Sequence, residues 1–358
     1  RCFCTPERLT EVREAQEKRK ETPRYDRLCR DLSAEESDAR AAAGEPFVLR
    51  YRVEAGSTTF EDMVRGRVTF DHEEVDDWIM VRRDGAPTYN FVVVCDDIDM
   101  RISHVFRGEE HLVNTPKQTM LYAAMGGETP RFGHLPLMLG KDRKKLSKRT
   151  GDTALGDYVA KGYPRDAVVN FLCLQGWALD GETEVFDLDT FVEHFDIVDV
   201  QKAGAVFDPD KFRWLAGDTI RRMSVADLAD AVAPFVVEAG LMTTDEVAER
   251  RAWFERLVAG EQERIEVFGE FPGRVRPFFE PDDAVTYEEK AEKNARKHED
   301  RAAILAAFDE WVAAPERPAD TEALAAEMKA WVKERGIKFP VLFQPLRCAL
   351  TGMAGGRD

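Results

Sequence analysis

Tyr89-Asn90-Phe91-Val92-Val93-Val94-Cys95-Asp96-Asp97 is the stretch on which the fold turns. Residues 89–95 form an apolar run of the kind found in a strand covered on both faces of a parallel sheet. Asp96-Asp97 would then close it at the carboxyl end of a strand, where open α/β sheets bind ligands. His104-Val105-Phe106-Arg107-Gly108 reads as a second short strand. Thr115-Pro116 opens a helix that runs to Met125, with Thr115 as cap and the proline in the first turn. Residues 131–140 run extended. The expectation is the second half of a doubly wound, Rossmann-like α/β domain.

Upstream, residues 5–20 read as a helix capped by Thr5, and 33–43 as a short acidic one. Residues 47–51, 64–70 and 78–82 read as strands. Downstream the character changes. Residues 154–178, 187–195 and 208–216 look helical. From Ser224 to Ala354 the periodicity is helical throughout, in segments 224–239, 244–270, 286–312 and 320–334.

The chain has 358 residues, 44% hydrophobic, and a formal charge of −17. That is ample for two or three domains with real cores. No window approaches the ~18 apolar residues of a membrane span. The acidic balance argues against nonspecific coating of nucleic acid but leaves room for local basic patches. Cys2, Cys4, Cys29, Cys95, Cys173 and Cys348 do not form a disulfide framework; their usage is cytosolic, so the expected location is cytoplasmic.

Three constellations carry chemistry. Within residues 141–149, six of nine are basic. Lys145 and Lys148 bracket Leu146-Ser147, so one face of the loop can present two ammoniums to a polyphosphate. The plainer reading is a solvated basic turn. Secondly, Tyr89 and Arg107 fall at the ends of neighbouring expected strands and can share a pocket, where an arginine reads a carboxylate by paired hydrogen bonds. A structural ion pair is the alternative. Thirdly, Cys2-Phe3-Cys4 and Cys29-Arg30-Asp31 offer three thiolates and a carboxylate, a donor set suited to tetrahedral zinc, against the reading of free thiols.

These motifs, in this order and spacing, resemble bacterial-type glutamyl-tRNA synthetase. The resemblance rests on the run from Asp84-Gly85-Ala86-Pro87 to Tyr89, on Asp96-Asp97, on Arg107-Gly108-Glu109-Glu110-His111-Leu112 and on Thr115-Pro116-Lys117-Gln118. Lys145-Leu146-Ser147-Lys148-Arg149 is similar to the class I "KMSKS" loop. Later segments, including Val206-Phe207-Asp208-Pro209 and Phe343-Gln344-Pro345-Leu346-Arg347, are similar to the stem-contact and anticodon-binding regions.

The resemblance implies a glutamate–tRNA ligase: ATP activates glutamate to glutamyl-adenylate, and the glutamyl group moves to the 3′ end of tRNA(Glu). It implies that Tyr89 and Arg107 bind glutamate and that residues Lys145, Leu146, Ser147, Lys148 and Arg149 bind ATP, with Lys148 and Lys145 catalytic. Magnesium accompanies ATP. Arg264 matches an anticodon-reading position loosely. The cysteines resemble the zinc site of some members, with Cys2, Cys4 and Cys29 as ligands and the fourth place open to Asp31 or Tyr25.

The resemblance divides the chain into an acceptor-binding insert (1–88), half of the catalytic domain (89–141), the loop and stem-contact region (142–223) and a helical anticodon-binding region (224–358). No membrane partner is expected, and a monomer is. No "HIGH"-type motif occurs in the sequence, so the reading is of an internal fragment that alone does not adenylate. Two alternatives remain: a shorter relative that glutamylates queuosine in tRNA, disfavoured by the helices after Ser224, and a non-catalytic tRNA-binding paralogue, disfavoured by the retained lysines.

Overall fold

A tight hairpin starts the main sheet. Strand β2 (Ser57–Asp62) pairs antiparallel with β3 (Gly66–Asp71). Asp62 makes the turn: its Oδ1 accepts from the backbone N–H of Val64 (3.0 Å) and Arg65 (2.8 Å). Gly66, at φ +75°, supplies the left-handed residue that the turn needs. The computed structural model describes residues 1–146, 154–279, 285–315 and 321–354. By its contacts the chain divides into two units, one of Arg1–Thr150 with Leu172–Asp208, the other of Gly151–Phe171 with Pro209–Asp358.

In the first unit the sheet order is β3-β2-β6-β5. Strands β5 (His104–Gly108) and β6 (Arg131–Leu135) run parallel, with Val105 opposite Phe132 and Arg107 opposite His134. β6 also pairs parallel with β2, at Asp62 and Phe132. The sheet is thus mixed, and it draws on residues well before Tyr89. Two short pairings accompany it: β1 (Leu49–Arg50) with β4 (Ile79–Val81), and β7 (Met138–Leu139) with β8 (Ala205–Val206). The first two helices are α1 (Pro6–Lys18), capped by Thr5, and α2 (Ala34–Ala42), capped by Ser33, as expected.

The strand expected at the centre of the reading is overturned. Residues 89–95 are not a strand but the first two turns of helix α3 (Tyr89–Asp99). Phe91, Val94 and Ile98 recur at helical spacing and pack into the core with Trp78, Leu121, Tyr122 and Phe132. Asp96-Asp97 therefore sits in the last turns of a helix, not at a strand's end. The Tyr122 hydroxyl donates to Asp97 (2.5 Å), tying α3 to α4 (Thr115–Met125). Thr115 is not the cap either; Asn114 occupies that place, in helical conformation, and Thr115 is fully buried.

In the second unit, helix follows helix. The expected 154–178 helix is two, α5 (Leu155–Ala160) and α6 (Arg165–Cys173), broken at Gly162. Gly162 lies at φ +81°, and a Cβ there would stand 2.6 Å from the backbone N of Gly269. Phe171 stacks on Phe212 of α8 (Pro209–Arg222), with ring centroids 4.3 Å apart. The expected 244–270 helix also divides, into α10 (Thr244–Glu249), α11 (Arg251–Glu261) and 3-10 turns. Its core joins Ile220, Leu228, Val232, Phe254, Ile265 and Phe271. After it come α13 (Glu289–Arg296), α14 (Arg301–Val312), α15 (Thr321–Glu334) and α16 (Phe339–Thr351). Among the described residues no helix is long and apolar enough to cross a membrane.

Gly162→Ala is expected to destabilise the protein by roughly 1–3 kcal/mol, through a left-handed φ and a backbone clash at once. The midpoint of chemical denaturation checks this; an unchanged midpoint refutes it.

Candidate amino-acid pocket and cysteine cluster

The parallel register of β5 and β6 sets Arg107 beside His134. Arg107 Nε donates to His134 Nε2 (3.0 Å), and Arg107 Nη2 donates to Thr115 Oγ1 (2.8 Å). The guanidinium also lies over the Phe132 ring, 5.3 Å from its centroid. Burial pushes Arg107 below its ordinary value, while Tyr89, which hydrogen-bonds to it, and the more distant Asp97 favour the charge. Guanidinium stays protonated all the same. Among the described residues, no carboxylate forms an ion pair with it. Its polar partners, His134, Thr115 and Tyr89, are all neutral side chains.

Behind Arg107 stands a buried pair. His134 is 0% exposed. Its Nδ1 lies 2.5 Å from Asp62 Oδ2, and its backbone N–H donates to Asp62 Oδ1 (3.1 Å). Burial works to raise the Asp62 carboxyl. Hydrogen bonds from His134 and from the backbone N–H of Arg65, His134 and Val64 outweigh it and bring it down to about 2. A folded value below that of a free aspartate means that Asp62's contribution is fully present above the ordinary aspartate range and is lost as pH falls through that range towards 2.

The structure thus brings Tyr89 and Arg107 together as the sequence suggested, although Tyr89 arrives from a helix start. Asp62, Thr115 and His134 were not singled out for the site. Burial alternates along β2, with Thr58 and Asp62 inward. A carboxylate on the inward face of a strand is the signal that would have found it.

The basic loop leaves β7 through a turn at 140–144, with Arg143 at φ +59°. Lys145 bridges back to Leu139, and its Nζ meets Glu110 Oε1 at 2.9 Å. The Leu146 backbone N–H donates to Met138 O (2.9 Å). Ser147, Lys148 and Arg149 lie outside the described residues. Arg264 ends a 3-10 turn, Gln262–Arg264, and is partly buried.

Cys2, Cys4 and Cys29 are all buried, with their sulfurs within 4.8 Å of one another. Tyr25 completes the group: its hydroxyl accepts from the Cys29 N–H (2.9 Å) and bonds to the Cys2 thiol. Burial, then the neighbouring thiols, pushes Cys4 up to about 12. Burial also acts on Cys2, but bonds to Tyr25 and Arg50 prevail and lower it. Asp31 is not part of the cluster. Its side chain is 86% exposed and faces Arg52. Two residues beyond Cys29 the chain has already turned outward, so adjacency in sequence does not become adjacency in space.

Residues 1–214 match the family model described as tRNA synthetases class I (E and Q), catalytic domain, and residues 227–358 match the model described as anticodon binding domain. A glutamate–tRNA ligase of Alkaliphilus metalliredigens is 39% identical over 358 residues, all of this chain and 72% of that one. Its counterpart in Desulforamulus reducens is 40% identical, over all of this chain and 74% of that one. A solved glutamate tRNA ligase from Elizabethkingia meningosepticum, in complex with its amino acid, superposes with a TM-score of 0.82 at 27% identity, covering this whole chain and 74% of that one. A class I catalytic-domain match, an anticodon-binding match and relatives of one name along the full chain lead to one conclusion: the chain belongs to the glutamate–tRNA ligase family of class I tRNA synthetases.

Proposed function

We propose that Arg107 receives the side-chain carboxylate of glutamate in an ATP-dependent glutamate–tRNA ligase reaction. The observation that carries this reading is a half-buried guanidinium whose polar partners, His134, Thr115 and Tyr89, are neutral and which forms no ion pair among the described residues. A desolvated cation so placed favours an anion supplied by the ligand. Tyr89 flanks the same position. The glutamate α-carboxylate attacks the α-phosphate of ATP, pyrophosphate leaves, and the 3′-terminal hydroxyl of tRNA displaces AMP from the adenylate.

Negative charge gathers on the α-phosphate and the leaving pyrophosphate. Lys145 and Lys148 meet it as point charges, with magnesium on the phosphates, and Leu146, Ser147 and Arg149 complete the loop. Lys145 must leave Glu110 to do so; both side chains are exposed, so that ion pair is cheap to break. Residues 1–88 then serve the acceptor end, 142–223 carry the loop and stem contacts, and 224–358, Arg264 included, read the anticodon.

The cysteine cluster fits zinc. Three buried sulfurs within 4.8 Å of one another, with a phenolic oxygen beside them, supply four donors of kinds that can ligate zinc. Cys2, Cys4, Cys29 and Tyr25 would hold the ion, with Tyr25 in the place considered for Asp31. Bound there, zinc supplies cross-linking, not catalysis: it ties the first residues to the 25–29 loop.

Three outcomes are expected. Arg107→Ala in the full-length protein raises the KM for glutamate about a hundredfold in ATP–pyrophosphate exchange with tRNA present, the loss expected for one side of a charged pair. An unchanged KM overturns the glutamate assignment. Lys148→Ala lowers the exchange rate by about a hundredfold or more with tRNA affinity nearly unchanged; wild-type exchange refutes it. Metal analysis finds stoichiometric zinc that is lost in Cys4→Ser, weakened in Tyr25→Phe and retained in Asp31→Ala. Zinc lost in Asp31→Ala would restore Asp31 as a ligand, and no zinc in the wild type would sink the site.

A further inference from the structure

Why the chain puts a histidine, and not a carboxylate, against Arg107 is a question of charge. His134 Nε2 stands 3.0 Å from Arg107 Nε, which can only donate. Nε2 must therefore be the bare nitrogen of a neutral ring. The ring proton then resides on Nδ1, where Asp62 Oδ2 accepts it at 2.5 Å. Thr115 Oγ1 lies 3.1 Å from the same Nε2 and accepts from Arg107 Nη2 at 2.8 Å.

A carboxylate in place of His134 would orient Arg107 equally well but would neutralise it. An apolar residue would leave Nε unpaired in a buried setting. The observed arrangement avoids both. The negative charge of Asp62 is one imidazole ring away from the guanidinium, and that ring presents only a neutral acceptor.

We infer that Asp62 and His134 are positioning residues for amino-acid selection: Asp62 locks the His134 tautomer, and His134 fixes the plane of Arg107 while leaving its charge for an acidic side chain. This rests on the assignment of Arg107 to glutamate. The pair also bridges β2 to β6, so a purely structural role has to be separated from it by experiment.

In Asp62→Asn, loss of the carboxylate admits the other tautomer, which aims a second donor at Arg107. With the full-length protein and tRNA present, the KM for glutamate should rise about tenfold or more, the cost of a misdirected binding group. The KM for ATP should stay within about twofold of the wild type. His134→Leu should behave likewise. His134→Gln, whose amide oxygen can still accept from Nε, should recover most of the glutamate affinity. Equal shifts in both KM values, or no recovery in His134→Gln, would overturn the inference.

A measurement on the wild-type protein does not depend on the variants folding. The ¹⁵N shifts of the His134 ring at neutral pH should show a protonated Nδ1 and a bare Nε2; a protonated Nε2 would overturn the tautomer lock. The two proposals fail separately. If Arg107→Ala leaves the glutamate KM unchanged, the pocket assignment falls. If Arg107→Ala raises it and Asp62→Asn does not, only the positioning role falls.

Discussion

A half-buried arginine that has no ionic partner among the described residues is the constraint around which the first unit is arranged. Removing a guanidinium from water is costly unless its N–H groups are satisfied. The chain satisfies two of its nitrogens with neutral atoms, His134 Nε2 and Thr115 Oγ1. Each acceptor is delivered by a different element. The parallel register of β5 and β6 brings His134 alongside. The start of α4 brings Thr115, and the hairpin turn after β2 brings Asp62 behind the histidine. A one-residue slip of β6 would turn His134 to the opposite face and leave Arg107 unsupported. Sheet topology and binding chemistry are in this sense one constraint.

The groups proposed to face a ligand were legible in the sequence, and the groups that hold them were not. Arg107, Tyr89 and Lys145 announce themselves by type and by motif. His134 lies 27 positions beyond Arg107, and Asp62 lies 72 positions before His134; they meet only in the folded sheet. Thr115 was legible as a helix-start residue, but its hydroxyl is used on Arg107, not on the helix. Asp62 ends a strand that the reading left unassigned. Residues 89–95 failed for another reason: three consecutive valines suit a buried strand, and so short a run cannot be told from a buried helix by periodicity. Tertiary packing decides it. Phe91, Val94 and Ile98 lie on one helical face, and that face meets α4 and the sheet.

The cysteine cluster divides along the same line. Spacing alone gathered Cys2, Cys4 and Cys29, because Cys-x-Cys is a local bite and the third thiol has few other uses in a buried site. The proposed fourth position rests on the fold. Asp31 is nearer to Cys29 in sequence and chemically apt, yet it faces solvent and Arg52. Tyr25, four residues before Cys29, turns its hydroxyl inward because a turn with Arg27 at φ +60° folds the 25–29 segment back on itself.

The same electrostatics bear on how glutamate is told from glutamine. The two differ by an amide in place of a carboxylate oxygen, nearly the same in shape, so a pocket cannot discriminate by size. It can do so by leaving one charge uncompensated. On the proposed assignment, glutamate would give Arg107 a counter-ion, whereas with glutamine the desolvated cation would keep only neutral partners. A site that already paired Arg107 with a protein carboxylate would lose that difference, since either ligand would then meet a neutral surface. Unpaired buried polar groups are the means by which binding sites reach large selectivities without editing. On that proposal Arg107 would supply the penalty, and the indirect route from Asp62 through a neutral His134 would keep it in place.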